Sequence, residues 1–350
     1  MIKRILPLLA LAFVVSCSES EPAQEAENTP VIEREVNVYT KRHYDSDKEL
    51  FTRFTEETGI KVNVIQSESS GSLMERMIQE GENSPCDVYI TSDAGNLGMA
   101  KEKGLLQAVS SETLSAAIPE QYRDSDGEWF GLSIRARIIA YNKEAVEDPS
   151  IVSTYGDLAK EEFKGKVLVR SSSNIYNQSL LAAMIAHEGD EAAKEWAKGI
   201  VNNMARDPKG GDTDQLKAVA AGQGDFAIAN SYYLARLMAS DEEEKKAVAE
   251  KLGVIFPKLA DGTHVNISGA GVAKHAPNKE EAVALLEFMV SDEAQRVFAE
   301  GNHEYPVKAG IPASSVISAW GEFDRDQLPL NMLHTYNANA ARVFDEAGWK

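Results

Sequence analysis

The chain has 350 residues, 43% hydrophobic and 26% charged, with a formal net charge of −19. So acidic a surface excludes nucleic acid as a partner, because phosphate backbones are held by basic patches, and it disfavours anionic lipid surfaces. The length beyond the first segment suits two lobes rather than one.

Lys3 and Arg4 precede an apolar run over residues 5–15, which ends in Val14-Val15-Ser16-Cys17. Basic start, apolar core and small residue before the cut make residues 1–16 a secretory signal peptide. The run is shorter than the roughly 20 residues a spanning helix needs. Its end resembles a bacterial lipobox, which implies that Cys17 is lipidated and holds the protein on a membrane through more than one acyl chain. Residues 17–32 are polar and acidic and read as a disordered tether. Cys86 is the one other cysteine. It reads as a buried bystander thiol, with no intrachain disulfide.

Residues 36–39 predict a strand. Ser46-Asp47-Lys48-Glu49 has the capping-box pattern before Leu50, Phe51 and Phe54 at helical spacing, and Gly59 ends that helix. A strand over 61–65, a helix over 72–78 entered through Ser69-Ser70-Gly71, a strand over 87–91 and a helix to Lys103 follow, with a stop at Gly104. Such alternation predicts a parallel sheet with helices on both faces. A second series has strands over 138–141, 166–170 and 226–229, with helices over 180–187, 192–203 and 216–221. A strand over 265–273 and helices over 279–289 and 292–299 complete it. Two α/β lobes with a tail crossing back between them form a clamp, and ligands of such sheets bind beyond the carboxyl ends of the strands.

No enzyme signature is present: there is no G-x-S-x-G elbow, no H-E-x-x-H and no Walker A loop. The six histidines have no zinc-type spacing. The Ser-Gly segment at 69–72 could cradle an anion at a helix start. Tyrosine carries more information. His43-Tyr44, Tyr176 and Tyr232-Tyr233 stand in polar surroundings at the ends of expected strands, whereas Tyr39, Tyr89, Tyr141 and Tyr155 lie in or beside apolar patterns and read as core. Aromatic residues in a crevice favour sugar or amino-acid stacking over metal unless the phenols ionise. Ionising one at neutral pH costs about 4 kcal/mol. A hard trivalent cation supplies that, and binding would then release protons and weaken in acid.

The chain resembles the periplasmic ferric-iron-binding proteins of ABC importers, of the FutA/Fbp type. The resemblance runs from about residue 36 to the end. Its markers are Tyr39-Thr40-Lys41-Arg42-His43-Tyr44, Arg170-Ser171-Ser172-Ser173-Asn174, Tyr176-Asn177-Gln178-Ser179, Ala229-Asn230-Ser231-Tyr232-Tyr233, Gly262-Thr263-His264-Val265-Asn266 and Glu346-Ala347-Gly348-Trp349-Lys350. It implies an α/β, bilobal type II periplasmic-binding-protein fold, two doubly wound lobes joined by crossing hinge strands. Lobe 1 would comprise residues 33–132 and 261–308, and lobe 2 residues 133–260 and 309–350. It further implies a monomeric, non-enzymatic periplasmic lipoprotein that hands Fe(III) to an ABC permease. The iron donors would be His43 and Tyr44 from one lobe and Tyr176, Tyr232 and Tyr233 from the other. Arg135 and Arg236, with Arg137 as a weaker candidate, would stand behind them and offset the negative charge that four phenolates leave on a ferric ion. Fe(II) as cargo and a synergistic anion stay open, as does an organic solute or oxyanion on the same fold.

Overall fold

The computed structural model describes Met1 and residues 34–350. The signal peptide, the tether and Cys17 lie outside the described residues. Among those described, no helix is long and apolar enough to cross a membrane.

The first series is β1 (Glu35–Thr40), α1 (Asp45–Thr58), β2 (Lys61–Gln66), α2 (Ser70–Glu80), β3 (Val88–Ser92), α3 (Ala94–Glu102), β4 (Leu106–Gln107) and α4 (Glu112–Ala117). Gly59 ends α1 at φ 70°, a left-handed conformation that costs glycine least, and its N–H donates to the Thr55 carbonyl. The capping box expected at Ser46 is not formed. Helix α1 begins at Asp45 after Tyr44, which makes no side-chain cap. Glu49 instead receives Arg53 at 2.6 Å, while the Ser46 hydroxyl is buried without a partner and Asp47 receives Arg42 through two 2.9 Å bonds. Charged pairs outcompete a neutral cap.

Strand β5 (Phe130–Asn142) is far longer than the segment expected over 138–141. It leads to β6 (Val167–Leu168), α5 (Ile175–Glu188), α6 (Asp190–Asn203), α7 (Asp212–Ala220), β7 (Phe226–Asn230), α8 (Ser231–Met238), α9 (Glu243–Glu250) and β8 (Leu252–Ile255). The chain then returns through β9 (Val265–Ala273), α10 (Lys279–Met289), α11 (Asp292–Asn302), β10 (Tyr305–Pro306), α12 (Ser315–Ser318), α13 (Asn331–Thr335) and α14 (Asn337–Ala347).

The sheet order is β2-β1-β3-β9-β5-β7-β6, with β4, β8 and β10 at its margins. The expected all-parallel arrangement holds for β1 with β2 and β3, and for β6 with β7. It fails at the centre, where β9 runs antiparallel to both β3 and β5. The reason is β5. Its first half pairs with β9, and its second half pairs with β7 and β8. One strand therefore crosses between the two halves of the sheet, and β9 fills the gap it leaves. Both are buried along almost their whole length. Each large aliphatic side chain so buried contributes about 1.5–3 kcal/mol, which favours keeping this crossing intact.

Tyr39, Tyr89 and Tyr155 are core residues, and Tyr141 is half-buried. Cys86 is fully buried, and burial pushes its thiol up, away from reactivity. The C-terminal markers hold the loop before α5: the Trp349 indole N–H donates to the Arg170 carbonyl at 2.9 Å, and the Lys350 carbonyl accepts from the Ser172 N–H at 2.9 Å.

Candidate metal centre

Three helix starts carry the candidate tyrosines. Tyr44 directly precedes α1, Tyr176 is the second residue of α5, and Tyr232 and Tyr233 are the second and third of α8. The unpaired N–H groups of a first helical turn make the local potential positive, which favours a phenolate there. Each helix follows a strand or its short extension, so the alternation of the sheet delivers all of them to one end of it.

The structure brings Tyr44 and Tyr232 together. Their hydroxyl oxygens are 3.5 Å apart and their ring centres 6.3 Å apart, edge to face. That oxygen separation exceeds the 2.7–2.8 Å usual for O–H···O, so the two hydroxyls share a space more than they share a proton. Tyr233 stacks on Tyr232 with centres 4.2 Å apart. Tyr232 is 0% exposed and Tyr176 8%. His43 is exposed, its ring centre 5.1 Å from that of Tyr44.

Cations surround these rings. The Arg135 guanidinium lies 5.4 Å from the Tyr176 centre and the Arg137 guanidinium 5.9 Å. Arg236, exposed on α8, is 5.3 Å from the Tyr44 centre. Two further arginines escaped the sequence reading. Arg170 is 5.4 Å from Tyr176, and Arg42 is 4.8 Å from Tyr44. Both sit inside the marker segments, but nothing in their spacing distinguishes them from surface arginines.

Buried carboxylates hold these cations. Arg42 pairs with Asp47 and Glu304, the latter at 3.0 Å, and all three are buried. Asp212, 0% exposed, receives Arg137 at 2.5 Å, Arg170 at 2.6 Å and the Asn230 N–H at 3.0 Å. Since Asn230 leads directly into α8 and Asn177 of α5 accepts from Arg137 at 2.7 Å, Asp212 ties together the turns that bear Tyr176, Tyr232 and Tyr233. The Nε atoms of Arg135, Arg137 and Arg170 are buried without a hydrogen-bond partner. Leaving such donors unpaired is costly, and all three belong to guanidiniums around the Tyr176 ring.

The phenols feel these charges unequally. Burial raises Tyr44 to about 12, and proximity to Tyr176 and Glu304 adds to this, while Arg42 opposes it. Tyr232 and Tyr233 are also pushed well up, by burial first and then by repulsion from Tyr176 and the other phenols. Tyr176 is the exception. Burial raises it as well, yet Arg135, Lys41 and hydrogen bonds with Ser92 and Tyr232 bring it below the ordinary phenol value. Tyr176 is thus the most acidic of the set, and any charge on it opposes ionisation of the others. Among the described residues, no group of three or more His, Cys, Asp and Glu side chains is arranged to hold a metal ion. The hard oxygen donors gathered here are phenols, a set suited to a trivalent cation and unsuited to a soft one.

Residues 83–336 match the family described as bacterial extracellular solute-binding protein. Iron uptake protein A1 of Synechocystis sp. is 48% identical over 336 residues, 96% of this chain and 92% of that one. A Trichodesmium protein (IdiA, FutA), solved in complex with iron and citrate, has a TM-score of 0.87 at 53% identity, covering 90% of this chain and 100% of that one. A ferric binding protein from Campylobacter jejuni gives 0.86 at 43%, with 90% and 100% coverage. The fold is the bilobal type II periplasmic-binding-protein fold that the crossing of β5 and β9 builds. The chain belongs to the bacterial extracellular solute-binding protein family.

Proposed function

We propose that the protein captures ferric iron between its two lobes outside the cytoplasm and delivers it to an ABC-type permease. The observation that carries this reading is the meeting of phenols from separate helix starts, with Tyr44 and Tyr232 oxygens 3.5 Å apart. A sugar ring does not fit between two oxygens at that distance; an ion that draws them together does. Relatives named as iron uptake and Fe(3+)-binding periplasmic proteins support it. Tyr44, Tyr176, Tyr232 and Tyr233 are the proposed phenolate donors, and exposed His43 beside Tyr44 is the fifth.

In this reading residues 33–132 and 261–308 form one lobe, and 133–260 and 309–350 the other. Iron then bridges the lobes and acts as the latch. Four phenolates on Fe(III) leave one negative charge, which Arg135 and Arg236 offset without touching the metal. No covalent bond of a substrate changes; the chemistry is ligand exchange with release of phenol protons. Signal-peptide removal before Cys17 and lipidation there place a monomer on the membrane beside its permease, with residues 17–32 as leash.

Titration of the purified protein with ferric citrate tests the function. The expected result is a visible phenolate-to-iron charge-transfer band that saturates at one iron per chain. A colourless protein that ignores ferric iron yet tightens on a polyamine, sugar acid or oxyanion overturns it.

A further inference from the structure

Asp93, between β3 and α3, has φ 99° and ψ 125°, a conformation that L side chains rarely hold. Strain of this kind persists only where surrounding contacts enforce it, and it concentrates at functional sites. The contacts are on the side chain. Its carboxylate is wholly buried, and Oδ1 accepts both the Gly95 N–H at 2.9 Å and the Ser179 hydroxyl at 2.7 Å. The first bond caps α3. The second leaves the first series altogether and reaches α5, 86 residues away in sequence.

Ser179 follows Tyr176 by three residues, so the two side chains share one face of α5. Helices α3 and α5 also touch here with little between them: a Cβ on Gly95 would lie 3.4 Å from the Ile175 Cδ1 and 3.5 Å from the Ser179 Oγ.

We propose that Asp93 is a positioning residue for Tyr176: through Ser179 it clamps the first turn of α5 against the opposite lobe and sets that phenol on the iron. This rests on Tyr176 being an iron donor and on the lobe division proposed above. The hydroxyl–carboxylate bond belongs to the closed, iron-loaded arrangement, whereas the cap on Gly95 stays within one lobe and survives opening. The strained backbone follows, because one carboxylate must serve its own helix and one from across the cleft.

Ser179→Ala in the full chain removes the bond between lobes and spares the cap. A buried hydrogen bond to a charged acceptor is worth about one order of magnitude in an equilibrium. Ferric iron should therefore leave Ser179→Ala for a chelator about tenfold faster than it leaves the unsubstituted chain. The charge-transfer band should remain but shift, and Ser179→Thr, which keeps the hydroxyl, should restore both. The iron-free melting temperature should move by less than about 2 °C, because the open protein lacks the bond. Unchanged release from Ser179→Ala overturns the clamp while leaving iron binding intact. So does an equal loss of stability with and without iron, which marks a permanent packing contact. Absence of any iron band in the unsubstituted chain overturns both the clamp and the function it serves.

Discussion

The Tyr232→Phe, Tyr233→Phe double variant is expected to lose the visible band and to bind ferric iron on the order of 10⁴-fold more weakly. Outer residues that only orient a metal's donors cost about 10–100-fold when removed, so deleting two charged donors must exceed that for each. Tyr232 stands at the centre of the set, with its oxygen 3.5 Å from that of Tyr44 and its ring stacked on Tyr233. The substitution keeps both rings and removes two hydroxyls, that of Tyr232 lying among the neighbouring phenols of Tyr44 and Tyr176. The iron-free fold should therefore survive, which its melting temperature checks. The chain has eleven tyrosines, so adventitious iron at other phenols needs a control. Tyr39→Phe provides it: that hydroxyl is bonded to Glu80 at 2.8 Å in the core, and its loss should leave the colour unchanged. Retained colour in the double variant would remove both residues from the site.

Acid should release the iron steeply. Three phenols are held protonated in the iron-free protein: Tyr44, raised to about 12, and Tyr232 and Tyr233, raised by burial and by their neighbours. Binding expels these protons, so lower pH favours the free protein. Each proton expelled makes the affinity fall about tenfold per pH unit. Three give about a thousandfold per unit, and Tyr176, lowered from the ordinary phenol value, adds a further proton wherever it too is protonated in the free protein. Competition against citrate, corrected for protonation of citrate and hydrolysis of iron, measures the slope. A fall of tenfold or less per unit means that at most one phenol gives up a proton on binding. Removing Arg135 should shift Tyr176 upward without changing the sign of this dependence, because Arg135 is the largest influence drawing it down.

The strands and helices of the first series up to α3 were legible because apolar segments are bounded by glycine, as at Gly59 and Gly104, whereas the short β4 and α4 beyond them were not expected. Nor was the first half of β5. Ser133, Arg135 and Arg137 interrupt its apolar run, and they are tolerated inside the sheet only because distant groups meet them. Asp212 lies 75 residues from Arg137, and Ile267, whose carbonyl accepts from Arg135, lies 132 residues away. Local pattern contains no trace of such partners. Helix α8 was missed for a related reason: Ser231-Tyr232-Tyr233 reads as a polar loop, yet Tyr232 is wholly buried. The antiparallel course of β9 follows from the chain's return across the sheet, which no window of residues records. The tyrosines stood out as aromatic residues amid polar neighbours at strand ends, a pattern that by itself favours sugar or amino-acid stacking; their proposed role on iron came from the resemblance. Their ordering by acidity was not legible, because it depends on Arg135 and Lys41 lying near Tyr176.

Anomalous diffraction at the iron edge, from crystals of the protein loaded with ferric iron, tests the central claim most directly. One peak is expected within bonding distance of the Tyr44, Tyr176, Tyr232 and Tyr233 oxygens. Those four rings turned from one another, with the peak elsewhere or missing, would contradict it.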